Sequence, residues 1–436
     1  MKLIDPRSPS YQSDIEGLKA LLRSGGLLAA SEDTELNVAA IVADILTQVR
    51  TRGDVAAVEL TERLDSATIE PDSVRVSTSK LEQAHREAEP AFLDLIRRAA
   101  DNIRTYQEHI RHRDPAPLVR KGRKLGVRYT PIERVGVYVP GGRALYPSTV
   151  LMTVVPAQVA GVEEIVMASP PTGGAIHPMA LALAHELGIR EVLQLGGAVA
   201  VAAMAYGTDR IVPVQKIVGP GNAFVAEAKR QLFGKVGIDS VAGPSEVVIV
   251  ADDSARAEWV AADLLAQAEH DPGASILITP SRTLAEAVAR AVTTQLTTLA
   301  RGDVARVALE KYGALILTDT LEKACEVASD FAAEHLQIMT RDNASACARI
   351  RHAGAIFLGE HTPVPLGDYY AGPSHVLPTS GTAKFFGPLS CNDFLKASSL
   401  IEYEAQALRE DASDVEDFAT REGLTAHARA THVRLE

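Results

Sequence analysis

Four small groups of side chains in this chain have the types and spacing to do chemistry. Gln267 and His270 stand three apart in Asp263-Leu-Leu-Ala-Gln-Ala-Glu-His-Asp-Pro272, at the expected end of an amphipathic helix over Ser254 to His270 that buries Trp259, Leu264 and Leu265. That spacing puts both on one helix face, where an imidazole and a carboxamide oxygen make half of a metal site. A solvated last turn, with His270 well placed at a helix C-terminus, fits the same residues. Glu334 and His335 are adjacent, at a turn leading into a short apolar strand. A strand would send them to opposite faces, so only a turn presents both; a polar loop pair is the plain alternative. Asp368 and His375 share a long irregular stretch, and Glu422 and His427 lie near the C-terminus. In one continuous helix that last pair would diverge by roughly 140°, so a helix start or an irregularity is needed for them to meet.

None of these groups is a recognised zinc signature, since the chain has no His-Glu-x-x-His and no Cys-x-x-Cys. Zinc does take nitrogen and oxygen ligands, so Gln267, His270, one carboxylate and one distant histidine remain a reasonable set. With a divalent ion such a set keeps a net charge of about +1 and its Lewis acidity. Glycine turns at Gly141-Gly142, Gly196-Gly197 and Gly219-Pro-Gly-Asn222 follow strands and precede helices, where phosphate binds readily. None reads G-x-G-x-x-G, and such glycines also serve plain β-α packing.

The elements that must position these groups come in two series. From Val137 the chain alternates strand, glycine turn and helix four times, through Ile165-Val-Met167, Val192-Leu-Gln-Leu195 and Ile217-Val218. A second series begins at Glu246-Val-Val-Ile-Val250, with further strands at 275–279, 314–317, 336–339 and 355–358 and helices at 254–270, 282–299, 319–331 and 342–350. Repeated β-α units predict an α/β fold with two parallel sheets. Before them come a short arm closing at Gly25-Gly26, helices over 35–50, 54–64 and 80–112, and a hairpin over 121–134. The expected division is an arm over 1–30, a discontinuous Rossmann-like domain of 31–137 with 246–389 carrying the metal site, a second such domain of 138–245, and a mostly helical tail of 390–436. Structureless runs as long as the one after Leu358 are usually functional or disordered, and its aromatic and apolar residues favour function.

Composition narrows the class. The chain has 436 residues, 46% hydrophobic and 23% charged, with a formal net charge of −12. That balance argues against nucleic-acid binding; the basic clusters Arg111-His-Arg113 and Arg120-Lys-Gly-Arg-Lys124 read as solvated surface. The opening Met1-Lys-Leu-Ile-Asp-Pro-Arg7 has no signal-peptide pattern and no apolar run reaches membrane length, so a cytoplasmic protein is expected. Cys325, Cys347 and Cys391 are dispersed, which fits a reducing compartment, and Cys391, without a nearby histidine, reads as structural.

Taken together, Val137-Tyr-Val-Pro-Gly-Gly142, Gly219-Pro-Gly-Asn-Ala-Phe224, Gly243-Pro-Ser-Glu246, Leu264-Leu-Ala-Gln-Ala-Glu-His-Asp271, Ala333-Glu-His-Leu336, Gly367-Asp-Tyr369, His375-Val-Leu-Pro-Thr379 and Glu422-Gly-Leu-Thr-Ala-His427 resemble the histidinol dehydrogenase family across nearly the whole chain. The resemblance implies oxidation of L-histidinol through L-histidinal to L-histidine with two NAD, as an intertwined homodimer of incomplete Rossmann-like halves whose tail serves dimerisation. It implies zinc on Gln267, His270 and Asp368, with His427 from the other subunit. It puts Ser245, His335, His375 and Glu422 against the substrate, which the zinc ligands also border, and Tyr138 and Asn222 against NAD. In the mechanism that follows, zinc orients the substrate, His335 takes the hydroxyl proton and Glu334 activates water for the second oxidation. Three positions depart from the family pattern. Val199 stands where a glutamine usually helps hold NAD, Ala333 where proline is common, and Ser374 where asparagine is common. The alternatives are a relative oxidising another polar alcohol, such as a sulfonated diol, and a zinc hydrolase in which Glu334 activates water directly.

Overall fold

Two parallel sheets stand back to back in function: one offers its amino edge to the candidate site, the other its carboxyl edge. The computed structural model describes residues 1–23, 37–141, 147–270 and 273–436. The expected turn at Gly25-Gly26, the helix start near Glu35, Gly142 and Asp271-Pro272 lie outside them.

The chain opens with β1 (Lys2–Ile4) and α1 (Tyr11–Arg23). Three helices follow, α2 (Val38–Asp65), α3 (Thr78–Glu87) and α4 (Pro90–Ile110). In α2, Val42, Ile45, Leu46 and Val49 repeat at helical spacing and are buried, and Gly53, at φ 54°, breaks the helix geometry midway. The hairpin β2 (Leu118–Arg120) and β3 (Arg123–Pro131) leads to β4 (Arg134–Tyr138). Then come α5 (Pro147–Ala160), β5 (Glu164–Ala168), α6 (Pro178–Glu186), β6 (Glu191–Leu193), α7 (Gly197–Tyr206), β7 (Lys216–Val218), α8 (Ala223–Leu232) and β8 (Gly237–Ile238). This first sheet is parallel with the order β6-β5-β4-β7-β8.

The second series runs β9 (Ser245–Ala251), α9 (Ala257–Ala268), β10 (Gly273–Thr279), α10 (Arg282–Leu296), α11 (Gly302–Tyr312), β11 (Ala314–Leu317), α12 (Leu321–Phe331), β12 (His335–Met339), α13 (Asn343–Arg349) and β13 (Ala355–Leu358). Its sheet is also parallel, in the order β1-β11-β10-β9-β12-β13. Apart from β1, the two sheets share one winding, in which the first strand of each series has the second and fourth as neighbours. Both are buried on their two faces by helices, as parallel sheets must be. The run after β13 contains α14 (Val364–Tyr369), and the tail consists of β14 (Leu395–Tyr403), α15 (Ala405–Arg421) and α16 (Thr425–His432).

The expected division of the chain is corrected at two places. Helices α2 to α4 do not cover the sheet of 246–358: Val42, Ile45 and Leu46 join a core with Val166 and Val201, and Leu81, Ile96 and Ile103 join one with Val135 and Val150, all on the sheet of 134–238. The start of the chain is no free arm, because β1 pairs with β11 and Ile15 and Leu22 pack with Val248 and Ile276. An apolar helix face is non-directional and fits either sheet, so periodicity alone does not choose between them. The tail is mostly helical, as expected, and adds one strand: β14 runs antiparallel to β3 over nine residue pairs, from Leu395↔Pro131 to Tyr403↔Arg123.

Candidate active site

Because β9 and β12 are neighbours in register, with His335 opposite Val247, the residues just before them meet at the amino edge of the sheet. Ser245 Oγ donates to Glu334 Oε2 at 2.6 Å, and the Glu246 N–H donates to the same oxygen at 2.9 Å. Gln267 Nε2 donates to Ser245 Oγ at 2.7 Å, which turns the carboxamide oxygen of Gln267 away from that bond. His335 Nδ1 lies 3.2 Å from the Glu246 carbonyl oxygen. A carbonyl only accepts, so Nδ1 carries the hydrogen and Nε2 is the working nitrogen. That Nε2 is buried without a hydrogen-bond partner among the described residues and faces Asp368 Oδ1 at 3.5 Å.

Charge is concentrated here. Burial opposes a charged imidazole at His335, but the Glu334 and Asp368 carboxylates outweigh it and hold the group up at about 10. Burial alone would raise Asp368; His335, His375 and His270 reverse that and hold it below its ordinary range. His375 is lowered by burial; its Nδ1 bonds the Asp368 carbonyl oxygen at 2.9 Å and its Nε2 lies 3.3 Å from Thr149 Oγ1. Thr149 belongs to α5, so this contact joins the amino edge of one sheet to the helix that follows β4 in the other. Ser374 Oγ, donating to the Met152 carbonyl at 2.9 Å, adds a second tie.

Two expectations about α9 are corrected. The helix ends at Ala268, so His270 is not on its face, although its N–H bonds the Gln267 carbonyl at 3.2 Å and keeps the two close. Trp259 is half-buried, with Arg256 over its ring, instead of core.

The carboxyl edge of the other sheet carries the expected cofactor residues. Tyr138, at the end of β4, accepts the Gly197 N–H through its hydroxyl at 3.1 Å, and burial pushes that hydroxyl up to about 12. Asn222 caps α8, its Oδ1 accepting from Phe224 and Val225 N–H at 3.1 Å each. Some of the N–H groups expected to receive phosphate are therefore already engaged by these two side chains. Val199 is buried among α2 and α7 and brings no polar atom to the turn. Gly219, at φ 116°, passes so close to β4 that a Cβ there would lie 2.2 Å from the Tyr138 carbonyl oxygen. Beneath it Lys229 and Asp239 form a buried ion pair: Lys229 Nζ donates to the Gly219 carbonyl at 3.1 Å, and Asp239 Oδ2 accepts the Gly219 N–H at 2.8 Å. A cavity of about 360 Å³ opens beside this edge, lined by Val139, Pro140, Gly141, Ser169, Pro170 and Thr172.

Glu422 and His427 are not brought to this cluster within the chain. The helical break they need is present, with α15 ending at Arg421, Gly423 at φ 73° and α16 starting at Thr425. Both are exposed. Among the described residues no three His, Cys, Asp or Glu are grouped to hold a metal. The expected set needs only His270 and Asp368 of those types from one chain, beside the amide of Gln267. Glu246 and Thr149 were given no role in the sequence reading. The signal for Glu246 was an acid opening the run Glu246-Val-Val-Ile-Val250, where a buried strand has no use for a charge.

The family model for histidinol dehydrogenase matches residues 28–435. A histidinol dehydrogenase of Rhodopirellula baltica is 50% identical over 449 residues, covering 100% of this chain and 98% of that protein. One of Geobacillus kaustophilus is 51% identical over 397 residues, covering 91% and 93%. The crystal structure of histidinol dehydrogenase from Elizabethkingia anophelis superposes with a TM-score of 0.91 at 32% identity, covering 100% of this chain and 98% of that one.

Proposed function

This chain belongs to the histidinol dehydrogenase family, NAD-dependent oxidoreductases of histidine biosynthesis, and we propose that it carries L-histidinol through the aldehyde to L-histidine with two NAD. The observation that carries the reading is His335, buried with the Asp368 carboxylate 3.5 Å from its Nε2 and the Glu334 carboxylate 3.4 Å from its Nδ1, and with no hydrogen bond on Nε2 among the described residues. With Asp368 given over to a metal, His335 Nε2 would be free to accept the hydroxyl proton, and Glu334 beside Nδ1 would stabilise the imidazolium that results. Glu334, held by Ser245 and Glu246 through one oxygen, keeps its other oxygen to take a proton from the water that adds to the aldehyde. Gln267 and Asp368, with His270 beside them, present an oxygen and nitrogen donor set suited to zinc. When bound, zinc supplies orientation of the substrate nitrogens, and NAD supplies the hydride acceptor at the carboxyl edge by Tyr138 and Asn222.

His427 of a second copy would complete the zinc set and Glu422 would meet the substrate amine. The exposed tail supports this: Ile401 is 74% and Phe418 71% exposed, and eight of the nine residues of β14 face solvent. A strand so bare on both faces is poorly stabilised alone and needs a partner surface. No described helix is long and apolar enough to cross a membrane, and a cytoplasmic site of action is part of the same reading.

The test is to incubate zinc-loaded protein with L-histidinol and NAD, following NADH and identifying the product. Two NADH per histidine is the expected result, abolished by a chelator and restored by zinc. Reduction with another polar alcohol but not histidinol would discard the substrate and keep the site.

A further inference from the structure

Glu246 is an acid the mechanism above does not use. It is buried at 2% exposure, the second residue of β9, next to Ser245. Its Oε1 accepts two backbone N–H groups, from Glu334 at 3.3 Å and from Ser380 at 3.1 Å. Its own N–H and carbonyl oxygen meet Glu334 Oε2 and His335 Nδ1. One residue thus touches the peptide that starts β12, the side chains of both proton-handling residues, and the segment that follows His375.

Its carboxyl faces opposing influences: the Glu334 carboxylate disfavours its charge, while the His335 imidazole and two backbone N–H groups favour it. The titratable groups facing it are Glu334 and His335, both from the start of β12, and the Ser380 segment offers a backbone N–H. Burial first, and the Glu334 carboxylate second, push Glu246 up to about 8. Two carboxylates sharing a buried space do not both ionise readily. Since Oε1 already accepts two hydrogens, the proton belongs on Oε2, which has no partner among the described residues.

We propose that Glu246 is a positioning residue held as a neutral carboxylic acid, which staples β9, the Glu334–His335 peptide and the Ser380 segment together and leaves the negative charge to Glu334. It rests on the reading that Glu334 and His335 move the protons. A shift of that pair by one ångström is enough to cost up to about a hundredfold in rate.

Two substitutions in the full-length protein separate a neutral staple from a charge. Glu246→Asp keeps the acid but withdraws it by about 1.5 Å, one carbon–carbon bond, so both N–H groups lose their acceptor. kcat with histidinol is expected to fall at least about tenfold, with a smaller change in KM. Glu246→Gln keeps an uncharged group of the same shape and is expected to retain kcat within about threefold. The reverse order, aspartate active and glutamine dead, overturns the proposal, as does equal behaviour of the two. An infrared spectrum at neutral pH reads the same point without substrate: a protonated-carboxyl band is expected in the parent and missing from Glu246→Gln, and its absence from the parent overturns the neutral acid. If the parent fails to oxidise histidinol while this band is present, the functional reading falls and the neutral Glu246 stands.

Discussion

Glu334 receives two hydrogen bonds on one oxygen, from Ser245 Oγ and the Glu246 N–H, while His335 is fixed through Nδ1. The two residues therefore have separable tasks. Glu334→Gln retains a carbonyl oxygen for both donors but cannot accept a proton, so the second oxidation should slow by about 10² to 10⁴ and the first by much less. The aldehyde should then be trappable with a carbonyl reagent, and NADH per histidinol consumed should drop from two toward one; equal slowing of both steps would sink this division of labour. At this scale the chemistry was half legible. Gln267 with His270, three apart, and Glu334 with His335, adjacent, are close in the chain, so spacing alone drew attention to them. Their convergence with Ser245 and Asp368 depends on which strands are neighbours, and Glu334 is 88 residues from Glu246. Glu246 was quoted only within a motif and a strand and given no role, because an acid at a strand start usually belongs to solvent.

Among the elements, the turn after β7 is the most constrained. Gly219 combines a positive φ with a Cβ position already occupied by the Tyr138 carbonyl, and both polar groups of its peptide unit are held by Lys229 and Asp239. Gly219→Ala should cost about 1–3 kcal/mol of stability and raise KM for NAD at least about tenfold, read by thermal melting and by NAD titration with histidinol saturating. A destabilised variant with unchanged KM would place the cofactor elsewhere. The strands of both series were readable because short apolar runs ended at glycine turns. The nine residues of β14 were not, because Leu395-Lys-Ala-Ser-Ser-Leu-Ile-Glu-Tyr403 is exposed along nearly all its length and shows no buried alternation. Its strand state follows from pairing with β3, and Arg123 at the far end binds Asp411 at 2.6 Å to seat α15.

For the whole molecule the question is whether one chain holds a complete site. Glu422 and His427 sit on the tail, apart from Gln267, Asp368 and His335. If the tail of one copy serves the site of another, mixing unfolded-and-refolded His270→Asn and His427→Asn variants restores activity: half the dimers are mixed, and each has one site with neither change, giving about a quarter of the parent rate. Two variants that stay silent together would mean that each site draws on its own tail. Periodicity could not show this, because it describes a chain and not its copies. The pairing of Lys2 with Ala314 has a consequence for synthesis. Strand β1 fills the outer edge of a sheet whose partner strand is made some three hundred residues later. During translation, α2 to α4 and the sheet of 134–238 can close around each other while β1 is still waiting. The second sheet must therefore gather around a strand made long before its neighbour, and its outer edge stays open until β11 has been made.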